Sequence, residues 1–129
     1  MKISTKSRYG LKAVHYLAKN ADEVLPITKI SADLGISQDY LEQLLRLLKK
    51  AEIIQTTRGV QGGYSLSKKP CDITVGEVLR VLEDNLQIVD CVGKSCNPCG
   101  ENCPTKDIWQ KVYVAINETL DQITLDQML

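Results

Sequence analysis

The chain predicts a mainly α-helical fold: a winged helix-turn-helix with a small β-hairpin wing and a long C-terminal dimerisation helix. Two amphipathic helical patterns meet at a single glycine, Gly35, with Ile30 and Leu34 before it and Ile36, Leu41 and Leu44 after it. A hairpin signature with three glycines in six residues, Arg58-Gly-Val-Gln-Gly-Gly63, comes next. The formal net charge of zero is unevenly spread. Residues 1–70 carry twelve Lys/Arg against six Asp/Glu, and residues 71–129 carry four against ten. A positive front attracts polyanions, and a negative back keeps them off itself.

The elements follow in order. Ser4 or Thr5 can cap a first helix reaching about Asn20, with Tyr9, Ala13, Val14, Leu17 and Ala18 on one stripe. After Pro26 a short helix over about Thr28–Leu34 stops at Gly35, where glycine supplies the positive φ of a tight turn. Small Ser31 sits where the two helices must approach closely. Ser37 caps a third helix with the stripe Tyr40, Leu41, Leu44, Leu45 and Leu48. Ile53–Thr56 and Tyr64–Ser67 read as the strands of the wing. Thr74-Val-Gly-Glu77 is a capping box opening a helix to about Glu83.

A steep helix pair followed by a wing is a DNA-reading geometry. The residues expected to face double-stranded DNA are Arg8, Ser37, Gln38, Asp39, Tyr40, Glu42, Gln43, Arg46, Lys49, Arg58 and Gln61. Glu42 can accept from a cytosine amino group and Gln43 can pair with adenine. Arg46, Lys49 and Lys50 suit phosphates, as do Lys2, Lys6 and Arg8. Arg58, at the base of the wing tip, can reach a groove or a phosphate. Glu42 has a plainer reading as the i,i+4 partner of Arg46.

The back half holds four of the five cysteines in a polar, turn-rich stretch: Cys91, Cys96, Cys99 and Cys103. A cytosolic chain rarely keeps structural disulfides, so clustered thiols read as metal ligands or redox groups. Iron–sulfur ligation is favoured, with structural zinc and a metal-free thiol switch as alternatives. Cys103 precedes Pro104 at an expected helix N-terminus, where the dipole favours thiolate. Cys71 reads as a small buried residue. From Pro104 a helix runs to about Ile123. Its Ile108, Val112, Ala115, Ile116, Thr119 and Ile123, with Trp109, Tyr113 and Leu120 alongside, exceed what so short a chain can bury. Such a helix buries its face on a twin, so a homodimer is expected. Thr124–Gln127 caps a final turn. The organisation expected is a DNA-binding domain over 1–83, a cysteine-rich cluster loop over 84–104, and the dimerisation helix and C-terminal turn over 105–129.

No apolar run suits a membrane span and no secretory signal opens the chain, so a cytoplasmic protein is expected. An enzyme is not expected, nor is a small-molecule substrate. There is no phosphate-binding glycine loop, no Glu/His metal-hydrolase motif, and no thioredoxin-like pattern around Cys96-x-x-Cys99. A protein-interaction scaffold carrying zinc is a rival of another class.

The whole chain resembles the Rrf2 family of bacterial winged-helix regulators, in particular its iron–sulfur cluster regulator (IscR-like) branch. The resemblance is carried by Met1-Lys-Ile-Ser-Thr-Lys-Ser-Arg-Tyr-Gly10, Tyr40-Leu-Glu-Gln43, Arg58-Gly-Val-Gln-Gly-Gly-Tyr64, Val75-Gly-Glu-Val78 and Cys103-Pro-Thr-Lys-Asp-Ile-Trp109. It implies a DNA-binding homodimer that represses or activates transcription with cluster state, repression of cluster-biogenesis or related redox and iron genes being the expected form. By resemblance Glu42 and Arg58 fall on base- and groove-contacting positions, and Asp39 on a third where that branch tends to carry serine. The branch holds a [2Fe–2S] cluster with three cysteines and a histidine. Cys91 and Cys103 match the outer cysteines, the middle one falls between Cys96 and Cys99, and Lys106 stands at the histidine position. All-cysteine [2Fe–2S] ligation is the expectation, with three cysteines holding [4Fe–4S] as the alternative.

Overall fold

The computed structural model describes residues 3–83, 86 and 104–129. The four clustered cysteines and Lys2 lie outside the described residues.

Helix α1 spans Thr5–Lys19, α2 Ile27–Leu34 and α3 Gln38–Lys50; β1 covers Ile54–Thr57 and β2 Gly63–Leu66; α4 spans Val75–Leu82 and α5 Lys106–Gln122. Single 3-10 turns cover Pro70–Asp72 and Leu125–Met128. Three of the caps the sequence points to do their work, whereas Thr124 makes no side-chain cap hydrogen bond at the final turn. The Ser4, Ser37 and Thr74 hydroxyls accept from the N–H of Ser7, Tyr40 and Glu77, satisfying helix-end donors that would otherwise be unmade. Gly35 ends α2 at φ 67°, a left-handed conformation that glycine adopts without a Cβ clash. Across that turn the Ser31 hydroxyl donates to the Ile36 carbonyl, which fixes the angle between α2 and α3.

One core unites these elements. Ala13, Val14, Leu17 and Ala18 of α1, Ile30 of α2 and four leucines of α3 pack with Ile53, Ile54, Leu66, Ile73, Val78 and Leu82. β1 and β2 pair antiparallel from Ile54↔Leu66 to Thr57↔Gly63. The hairpin has a third partner. Leu25 and Tyr64 exchange two backbone hydrogen bonds of 2.9 and 2.7 Å, so the segment before α2 clamps the base of the wing. A Cβ at Gly63 would stand 2.2 Å from the Leu25 carbonyl oxygen, so this approach requires glycine.

Several details differ from the sequence expectation. α5 begins at Lys106 and not at Pro104, because Thr105 supplies the first accepting carbonyl, to Ile108 and Trp109. Cys71 is exposed, where a small buried residue was expected, since the 3-10 turn after Pro70 carries it on the surface. The C-terminal turn is anchored in the winged core. Leu125 is fully buried, its N–H donates to the Ile73 carbonyl, and the Val75 N–H donates to the Ile123 carbonyl. His15, on α1, lies 3.0 Å through Nε2 from the Met128 carbonyl.

Candidate nucleic-acid interface

Helix α3 divides cleanly. Leu41, Leu44, Leu45 and Leu48 are buried, while Gln38, Asp39, Glu42, Gln43, Arg46, Lys49 and Lys50 are all exposed. The apolar stripe repeats at helical spacing, so burying it against α1 and α4 turns the polar stripe outward. Lys49 and Lys50 occupy the last turn, where cations are favoured by the helix dipole. Glu42 and Arg46 stand 3.5 Å apart as an i,i+4 pair, both largely exposed. An exposed pair of this kind is worth a few tenths of a kcal/mol, so either side chain exchanges its partner readily.

Tyr40 is half-buried, and its ring meets Tyr9 of α1 edge-on at 6.1 Å between centroids, with Lys12 Nζ 5.3 Å from the Tyr9 centroid. Thr5, Tyr9, Gly35, Ile36, Ser37 and Tyr40 line one open groove of about 520 Å³. The first turns of α1 and α3 therefore open on the same groove, and helix N-termini carry the partial positive charge that suits phosphate. At the other end of α3, Lys49 shares a groove of about 530 Å³ with Gln55, Thr56, Ser67 and Lys68. Lys68 is a cation that the sequence reading did not single out. Its only signal was the Lys68-Lys69 pair behind the returning strand.

Arg58 and Gln61 are exposed on the wing. Arg8 is exposed on α1 but lines a separate small cavity with Leu11, Lys12, His15 and Met128, so it is not brought to the groove that Ser37 and Tyr40 share. Among the described residues no cluster of three or more metal-ligating side chains occurs.

Two polar links brace this head. The Tyr16 hydroxyl donates to Asp33, which also stands 3.9 Å from Lys29; that carboxylate pushes the Tyr16 pKa up to about 12. Glu83, at the C-terminus of α4, accepts from the Ser7 hydroxyl, the Ser4 hydroxyl at 3.0 Å and the Ser4 N–H at 3.3 Å. The Ser7 hydrogen bond leads in holding the Glu83 carboxyl below the usual carboxylate range, with Ser4 adding to it against desolvation. Nothing in the sequence pairs residues 79 positions apart, so this link was illegible there.

A recognition helix with an outward polar stripe, beside a clamped hairpin, defines a winged helix-turn-helix DNA-binding transcriptional regulator. The chain's likeness to known proteins places it within that class. Residues 3–129 match the Rrf2 family, described as iron-dependent transcriptional regulators. The HTH-type transcriptional regulator IscR of Aliivibrio salmonicida is 36% identical over all of this chain and 77% of its own length. Among solved structures, CymR, the global cysteine regulator of B. subtilis, aligns with a TM-score of 0.84 at 34% identity over 99% of this chain and 95% of that one. T. potens IscR aligns at 0.79 and 38% identity, over 99% and 85%. The chain belongs to the Rrf2 family: it is a regulator of transcription and not an enzyme. Among the described residues no helix is long and apolar enough to cross a membrane.

Proposed function

We propose that this regulator works in the cytoplasm as a homodimer, reads an operator with α3 and the wing, and responds to an iron–sulfur cluster held by Cys91, Cys96, Cys99 and Cys103. Repression of cluster-biogenesis or related redox and iron genes is the output. The observation that carries the reading is the division of α3, which turns Gln38, Asp39, Glu42, Gln43, Arg46 and Lys49 outward together. In the major groove, Glu42 and Gln43 suit base edges, Asp39 lies beside them, and Arg46 and Lys49 suit phosphates. Ser37 and Tyr40 border the groove at the start of α3, Arg58 and Gln61 reach from the wing, and Arg8 adds positive charge from α1.

The donor set fits an all-thiolate site. The chain has one histidine, and His15, on α1, is occupied with the Met128 carbonyl. In the cysteine segment four thiolates remain, and [2Fe–2S] is the form proposed; bound there, the cluster would supply sensitivity to oxidants, nitric oxide and iron supply. The chain's own residues supply the transmission. Glu83, before the cysteine segment, is tied to Ser4 and Ser7 at the start of α1. α5, after it, is tied to α4 through Arg80, which donates to Asn117 and Asp121. A change in the segment between these anchors bears on α1 and on α5 together. Coupling of this kind is typically worth about 1–3 kcal/mol. The exposed face of α5 supports self-association as the means of pairing two recognition helices about one DNA turn apart.

The test is anaerobic isolation with visible absorption and Mössbauer spectra, then titration of duplex DNA with holo and apo protein at matched salt. A coloured protein whose two forms differ in affinity is expected. A colourless zinc-loaded protein overturns the cluster reading, and equal affinities on every duplex overturn the sensing.

A further inference from the structure

The wing tip carries a residue that its local structure does not ask for. The Gly62 N–H donates to the Gly59 carbonyl at 3.0 Å, which makes Val60 and Gln61 the central residues of the turn. Such corners are the province of Gly, Pro, Asn, Asp and Ser, whose backbones or side chains satisfy a turn. Valine is stiff at χ1 and suited to a pleated, half-buried surface. Val60 is nonetheless fully exposed, more so than any other large apolar side chain among the described residues. A single exposed apolar residue is ordinary by itself. One at the outermost corner of a hairpin, against turn preference and between exposed Arg58 and Gln61, is a local rule broken where function is expected to break it. The hairpin beneath it is held firmly: Leu25 clamps Tyr64 on both sides, and Ile54 and Leu66 anchor the strands in the core. The base of the hairpin is therefore held in place, which lowers the ordering cost of a contact made at its tip.

We propose that Val60 is a DNA-contacting residue, an apolar tooth that buries its two methyl groups against the non-polar surface of the duplex while Arg58 holds a neighbouring phosphate or groove edge. This rests on the reading of the wing as a DNA-facing element. Valine has no donor or acceptor, so it is blind to the hydrogen-bond code of the bases. It senses carbon: the thymine methyl or the deoxyribose walls of a groove. Its contribution is independent of salt, because no counterion is released when apolar surfaces meet.

The probe is a 30-base-pair duplex recovered from a random pool by the anaerobically isolated wild-type chain, with affinities measured by fluorescence anisotropy across a salt series. Val60→Ser is expected to bind it about tenfold more weakly, with the slope of log affinity against log salt unchanged. Val60→Leu keeps affinity within about twofold, since apolarity is kept and only one methylene is added at an exposed tip. Arg58→Ala differs in kind, its slope becoming shallower by about one per protomer. Replacing thymine by deoxyuridine in the probe assigns the contact. Loss of wild-type affinity with no further loss in Val60→Ser places it on the methyl, and no effect places it on deoxyribose. Val60→Ser binding as tightly as wild type, or losing affinity with the same slope change as Arg58→Ala, overturns the proposal and leaves DNA binding standing. A wild-type chain that enriches no duplex overturns the DNA reading and the proposal with it.

Discussion

Helices α3 and α5 are both amphipathic, yet the fold treats them oppositely. α3 buries four leucines among thirteen residues, whereas α5 buries none of its seventeen. α5 does divide into two stripes. Trp109, Tyr113, Ile116 and Leu120 are half-buried, while Ile108, Val112, Ala115 and Thr119 are exposed, Ile108 to 56%. The difference shows that an apolar pattern states how much surface a helix must cover without stating what covers it. For α3 the cover is its own chain. For α5 the proposed cover is a second copy, since the exposed stripe repeats at the three-and-four spacing of a helix-to-helix seam.

The contrast breaks most visibly at Leu48. Truncation to alanine empties a fully buried site and is expected to cost about 3 kcal/mol, lowering the melting temperature by about 10 °C at every protein concentration. Val112→Asp is the matching change on α5. It is expected to weaken self-association by about a hundredfold in sedimentation, while the diluted protein melts where the diluted wild type does. A concentration-dependent loss from Leu48→Ala, or a Val112→Asp protein that stays dimeric, reverses the assignment of the two helices.

Glu83 sharpens the comparison from the side of α1. Its pKa is lowered in the folded state, so its stabilisation is present above the unfolded carboxylate pKa and is lost as pH falls through the folded one. Wild type should therefore lose stability on acidification below about pH 4 more steeply than Glu83→Gln, and at neutral pH the variant should be the less stable. Denaturant melts at a series of pH values read this directly. Parallel acid limbs for the two proteins contradict the role given to the Ser4 and Ser7 hydrogen bonds.

Most of the reading head was legible because its signals are local. Gly35 at positive φ, the serine and threonine caps, and the leucine spacing of α3 each act within four residues. The long-range ties were not legible. Leu125 enters the core, Leu25 bridges Tyr64, and Glu83 caps α1, all joining residues tens of positions apart by pairings that no periodicity encodes. Cys71 departs from the expectation for a related reason: cysteine's general preference for burial is overridden by a 3-10 turn on the surface. At the candidate interface the exposure of α3's polar face followed from the pattern. The placing of Arg8 away from that groove, and of Lys68 beside Lys49, required the assembled fold.

The smallest effect expected lies at Arg80, where the two helices are indirectly joined. Its guanidinium reaches from α4 to Asp121 at 2.6 and 3.0 Å and to Asn117 at 2.9 Å, and the Asp121 hydrogen bond raises its already high pKa further. The pair is substantially exposed, so Arg80→Ala should cost no more than about 1 kcal/mol of stability. Its value lies in direction. The link sets how α5 leans on α4 without contributing to the core, so the variant should melt nearly as wild type does. On the proposed mechanism it should also narrow the difference in DNA affinity between holo and apo protein. An unchanged difference would mean that the cysteine segment bears on the DNA-binding head through Glu83 and α1 alone.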